Sequence, residues 1–229
     1  MFPLGVLKKE QDPWPAPSAQ TKLLLRFEGL NNSTTFTDDS ASAHTMTIGN
    51  GTPTITTAEK PYGTSSLELS YGSGEHIYSD LSSDFNLTGK QAFTLEFWAN
   101  LSTYNYLQSS LTIGVDQTAV VPIRFYGDGT ILVGNAALNG WQNIALSSGT
   151  SPTHNAWNHF CVVGDGTNIK VYVNGQNNGN QATHPNWTSA NRKVWVGIGG
   201  GQGASGFYKG VRLTHQALYT GNFTPPTMY

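Results

Sequence analysis

Glu96 stands in the middle of the run Phe93-Thr94-Leu95-Glu96-Phe97-Trp98-Ala99-Asn100. Hydrolysis of a glycosidic bond by two carboxylates, one as nucleophile and one as general acid, needs both on one face, which on a strand means alternate positions. Trp98 and Asn100 occupy the positions two and four residues on, so Glu96 has no partner. Asp38 and Asp39 are adjacent and point to opposite sides if extended. The six histidines, His44, His76, His154, His159, His184 and His215, are dispersed without metal-ligand spacing. No Gly-x-Ser-x-Gly nucleophile elbow occurs. Gly199-Gly200-Gly201-Gln202-Gly203 lacks the Lys-Ser/Thr ending of a phosphate loop and reads as a turn. Catalysis is not expected.

Binding chemistry is better represented. The apolar face of a sugar ring stacks on Trp or Tyr while amide side chains take its hydroxyls. Trp141 in Gly140-Trp141-Gln142-Asn143 and Trp187 in Pro185-Asn186-Trp187-Thr188 lie in polar stretches that read as loops, and Tyr104-Asn105-Tyr106 has the same character. The candidate glycan contacts are therefore Trp141, Trp187, Tyr104 and Tyr106 as platforms, with Asn143, Asn186 and Asn105 as hydrogen-bond partners. Trp98, Trp157 and Trp195 fall in or at the start of alternating runs and are expected to pack. His44 and His159 are expected to make structural hydrogen bonds, and Cys161, between Phe160 and Val162, to be a buried apolar residue.

The elements that must position these residues are strands. Gly, Ser, Thr and Asn account for about 90 of the 229 residues, and no window repeats apolar residues at helical spacing. Alternation is frequent: Phe93, Leu95 and Phe97; Ile169, Val171 and Val173; Val194, Val196 and Ile198. Asp128-Gly129, Asp165-Gly166 and Asn174-Gly175 supply hairpin turns. The pattern predicts an all-β, two-sheet antiparallel sandwich of a dozen or so strands, the first at Leu23–Phe27, over residues 21–229. Residues 1–20 differ. A charged patch (Lys8, Lys9, Glu10, Gln11, Asp12) precedes Pro13-Trp14-Pro15-Ala16-Pro17, and alternate prolines keep this stretch out of a sheet interior. It reads as an extended attachment arm with Phe2, Leu4 and Trp14 as anchors.

A net charge of −2 with 12 scattered basic residues leaves no footprint for nucleic acid. Apolar runs are too short to span a bilayer, and no signal peptide is expected from the first residues. One cysteine excludes an internal disulfide.

Taken in order, several motifs resemble the concanavalin A-like, laminin-G-like jelly-roll family, in the form found in bacteriophage structural proteins. They are Leu-Leu-Leu-Arg-Phe-Glu-Gly (23–29), Phe-Thr-Asp-Asp-Ser (36–40) with a trailing His44, and Lys60 through Ser66. Phe-Thr-Leu-Glu-Phe-Trp (93–98), Trp-Asn-His-Phe (157–160) and Ile-Lys-Val-Tyr-Val-Asn-Gly (169–175) follow. Gly-Val-Arg-Leu-Thr-His-Gln-Ala-Leu-Tyr (210–219) and its Asn-Phe-Thr-Pro-Pro tail end the set. The resemblance implies a jelly roll and, as function, a non-catalytic virion structural protein. Such a protein would be an outward-facing decoration or adhesive domain on the particle surface, docked by its arm on a capsid or tail neighbour. The alternative it carries is a carbohydrate- or receptor-binding module of a phage tail fibre. The implied partners are other virion proteins and a host-surface glycan, with a homo-oligomer admitted and neither nucleic acid nor membrane insertion. It also admits calcium, with Asp38 and Asp39 as weak candidate ligands. Lys209 and Gly210 occupy positions where the family commonly has acids before its Val-Arg pair, which removes one ligand and puts an acidic contact to Arg212 in doubt.

Overall fold

Alternation along the central run places Phe93, Leu95, Phe97, Ala99 and Leu101 on one face, and all five are fully buried. The computed structural model describes residues 17–70, 74–102, 109–115, 123–126, 128, 130–134, 143–188, 190–198 and 203–226. Its strands are β1 (Thr21–Leu25), β2 (Met46–Asn50), β3 (Thr54–Thr56), β4 (Ser66–Leu69), β5 (His76–Ser79), β6 (Phe93–Leu101), β7 (Ser109–Gly114) and β8 (Ile123–Tyr126). They continue with β9 (Ile131–Gly134), β10 (Asn143–Leu146), β11 (Trp157–Gly164), β12 (Asn168–Val173), β13 (Gln181–Thr183), β14 (Lys193–Val196) and β15 (Gly206–Thr214). Among the described residues no helix is long and apolar enough to cross a membrane.

Two antiparallel sheets stack face to face. Sheet A runs β13-β12-β11-β6-β15-β4-β3, with β1 also paired to β15, and sheet B runs β10-β9-β8-β7-β14-β5-β2. The far edge of β15 is shared: its first residues pair with β4 and its last with β1, Thr21 opposite Thr214. A bulge between Lys209 and Arg212, with Gly210 at φ 61°, turns the strand between these partners. That left-handed residue explains why glycine, rather than an acid, stands at 210.

The inner faces interlock through aromatic rings. Phe97 of β6 meets Phe125 of β8 edge-on, with centroids 5.0 Å apart, and stacks on Phe160 at 5.2 Å. Asn174 and Gly175, at φ 51° and 74°, form a tight two-residue turn closed by reciprocal hydrogen bonds between Val173 and Gln176. Asp165 caps its own turn by accepting from the Thr167 and Asn168 amides. The first strand ends at Leu25 rather than Phe27, because Phe27 takes φ 55° and leaves the pleat. β10 and β13 add to the predicted set.

Candidate ligand-binding faces

On the outer face of sheet A, Glu96 is fully buried and fully engaged. Arg212 Nε donates to its Oε1 at 2.9 Å, with Arg212 Nη2 also bound there. His159 Nε2 and Tyr219 Oη each donate to Oε2 at 3.1 Å. The acidic contact to Arg212 thus comes from the neighbouring strand, where Arg212 and Glu96 are register partners. Burial pushes the Glu96 carboxyl up, but the His159 hydrogen bond and the Arg212 charge outweigh it and hold it below the ordinary 4.5. The chain after β15 seals this cluster: Phe223 stacks on Tyr219 and stands edge-on to His159. Glu96 is therefore closed to substrate. Cys161, its register partner on β11, is buried, and burial first, then the Glu96 charge, raises its thiol well above the ordinary 9.0.

Phe2, Leu4, Trp14, Tyr104, Asn105, Tyr106 and Trp141 lie outside the described residues. Asn143 opens strand β10 and is not part of a loop. Trp187 is 1% exposed and cannot serve as a stacking surface. Its ring packs 5.0 Å from His184 and 5.9 Å from Phe93, and its backbone exchanges two hydrogen bonds with Gly89. Asn186 beside it is exposed. Neither Asp38 nor Asp39 is poised for calcium. Both Asp38 oxygens are occupied, by the amides of Leu24, Ser40 and His44 at 2.9 Å and by Ser40 Oγ at 2.8 Å. Asp39 pairs with Arg26 at 3.1 Å. Among the described residues no group of three or more His, Cys, Asp or Glu side chains is arranged to hold a metal. His44 makes the expected structural bond, to Asp80 at 2.9 Å.

Among the described residues, three features are candidates for ligand contact. An open cleft of about 420 Å³ runs between residues 34–38 and 43–46, lined by Thr34, Thr35, Thr37 and Thr45 with His44 and Met46. On the outer face of sheet A, Leu24, Tyr62, Trp98 and Trp157 form a second small cluster. Its cation, Lys209, sits 5.4 Å over Tyr62 but is already bound to Glu28 and the Ser65 carbonyl.

The third feature is built by register across sheet B. Thr47 lies opposite Tyr78, Tyr78 opposite Trp195, Trp195 opposite Thr112, and Thr112 opposite Arg124. One outward row therefore crosses β2, β5, β14, β7 and β8. The Tyr78 and Trp195 rings are 4.7 Å apart, and His76 lies 5.9 Å from Trp195. Lys193, two residues before Trp195, places its amine 4.3 Å from the Tyr78 centroid and 5.5 Å from that of Trp195. Tyr78 and Lys193 are half-buried and Trp195 is 8% exposed. Trp195 Nε1 and Thr112 Oγ1 are buried with no hydrogen-bond partner. An unmet polar group of this kind costs about 1–3 kcal/mol. No sequence motif signals this row, because its members come from five separate strands.

Comparisons with known proteins agree with the architecture. No curated protein matches the chain in sequence. Among solved structures it is similar to domain 4 of AbnA, a GH43 extracellular arabinanase from Geobacillus stearothermophilus, determined in complex with arabinotriose. The TM-score is 0.66 at 16% identity, over 87% of this chain and 94% of that one. It is also similar to the binding domain of botulinum neurotoxin serotype G, with TM-score 0.62 and 15% identity over 87% of this chain and 48% of that one. The binding domain of Paraclostridial Mosquitocidal Protein 1 gives TM-score 0.61 and 13% identity over 87% and 50%. The chain spans about half the length of these two toxin domains. At such identities the likeness is one of fold. A sequence model of the concanavalin A-like lectin/glucanases superfamily, laminin-G type, matches residues 73–226, and the chain belongs to that family.

Proposed function

We propose that this protein is a non-catalytic binding module that presents the outer face of sheet B to a carbohydrate. The observation that carries the reading is the aromatic pair on this face, where the Tyr78 and Trp195 rings lie 4.7 Å apart with the half-buried Lys193 amine 4.3 Å from the Tyr78 centroid. The sealing of Glu96 supports the absence of catalysis. The likeness to an arabinanase domain seen with arabinotriose, and to toxin binding domains, supports a binding role. The purified protein on a glycan array, in calcium and again in EDTA, tests it. Tyr78→Ala is expected to weaken binding by about tenfold, the size of an aromatic contact, with little change in melting temperature. Binding untouched by both Tyr78→Ala and Trp195→Ala would remove the site.

The setting we propose is a virion surface, with the Pro-containing segment ahead of β1 attaching the sandwich to a capsid or tail neighbour. The resemblance of the ordered motifs to phage structural proteins supports this setting. Deleting residues 1–16 is expected to abolish particle association and leave the sandwich folded, read by co-sedimentation and circular dichroism. Association that survives the deletion would count against the arm.

A further inference from the structure

The seven strands of sheet B contain no aspartate or glutamate. They read MTIGN, HIYS, SSLTIG, IRFY, ILVG, NIAL and KVWV, and their full charges are Arg124 and Lys193. This is unusual in a chain with 14 acidic residues and a net charge of −2. The acids that bracket β5 are engaged elsewhere. Glu75 accepts from the Ser70 amide at 2.7 Å and the Thr52 amide at 3.1 Å, and Asp80 is bound to His44.

Lys193 differs from four other cations that lie against the sheets. Lys22 pairs with Asp84, Arg26 with Asp39, Lys209 with Glu28 and Arg212 with Glu96. Among the described residues Lys193 has no carboxylate within ion-pair distance, and its amine lies over two aromatic faces. Its opposite number on β7 is Gly114, which puts no side chain beside it. A cation over a ring keeps its charge and its outward donors, so it still attracts an anion.

We propose that the ligand of this face is an acidic sugar, a uronic-acid unit of a polysaccharide. Its pyranose ring would lie against Tyr78 and its carboxylate on the Lys193 amine, the two half-buried members of this face. The carboxylate is the feature that matters: a neutral sugar would stack equally well but leave Lys193 without a counter-ion. This inference rests on the reading that sheet B's outer face binds carbohydrate.

The test uses the full chain in calorimetric titrations with polygalacturonate, alginate and hyaluronan, each beside its carboxyl-reduced neutral counterpart. Dextran sulfate serves as a charge-only control. At least one acidic polymer is expected to bind, with affinity lowered about tenfold or more by carboxyl reduction and by Lys193→Gln. Tyr78→Ala is expected to weaken the same polymer, and Lys193→Gln to leave the melting temperature in place. Equal binding of the reduced and acidic forms, still sensitive to Tyr78→Ala, would overturn the acidic ligand and keep the carbohydrate reading. Binding of dextran sulfate at equal strength, indifferent to Tyr78→Ala, would reduce the face to general polyanion attraction and overturn the proposal. No binding to any polymer, acidic or neutral, here or on the glycan array, would overturn both readings.

Discussion

Arg212→Ala is expected to destabilise the fold by about 3–5 kcal/mol, the cost of stranding one member of a buried ion pair. Glu96 would keep its bonds from His159 and Tyr219 but lose its only guanidinium, in a site that water does not reach. Urea unfolding of the two proteins at neutral pH measures the difference. A paired Glu96→Gln/Arg212→Met change should recover most of the loss, because apolar replacement of a whole buried pair is often close to neutral. The pH dependence has a definite sign. The Glu96 carboxyl is held below its ordinary 4.5, so its contribution is fully present above that value and disappears as the pH falls through it toward the folded-state value. The wild type should therefore lose stability more steeply below about pH 4.5 than Arg212→Ala does. Parallel acid titrations of the two would sink this account.

Trp187→Ala is expected to cost about 3–5 kcal/mol, the range for deleting a large buried aromatic. Loss of the indole opens a cavity against Phe93 and His184 at the end of β6, and the backbone bridge to Gly89 loses its packing. Ligand affinity of the protein that remains folded should not change, since Trp187 offers no surface to solvent. A small shift in melting temperature together with lost glycan binding would reverse this assignment.

Trp187 also shows where the sequence is opaque. Pro-Asn-Trp-Thr is polar on both sides of the indole, and only the bridge that ties it to Gly89 turns it inward. Asn143 misleads in the same way: its polar neighbours hide a short strand whose existence depends on pairing with β9. β13 is a three-residue edge strand with no apolar repeat. The long central elements were legible because their burial is one-sided: Phe93, Leu95 and Phe97, then Val194 and Val196, alternate as a pleated strand requires. Asn174-Gly175 was legible because few other pairs accept two positive φ values. The Tyr78–Trp195–Thr112 row was beyond reach, since strand order and register alone bring its members side by side.

The position of β15 has a consequence for how the chain is made. As the last strand, it inserts between β6 on one side and β4 and β1 on the other. During synthesis from the N-terminus, sheet A therefore stays split, with the inward edges of β6, β4 and β1 unpaired until residue 214 has left the ribosome. Pairing between the two ends of a domain is slow, and open strand edges recruit other chains. Closure of sheet A therefore waits on β15, and crowding of nascent chains should favour intermolecular strand exchange at the vacant β15 slot.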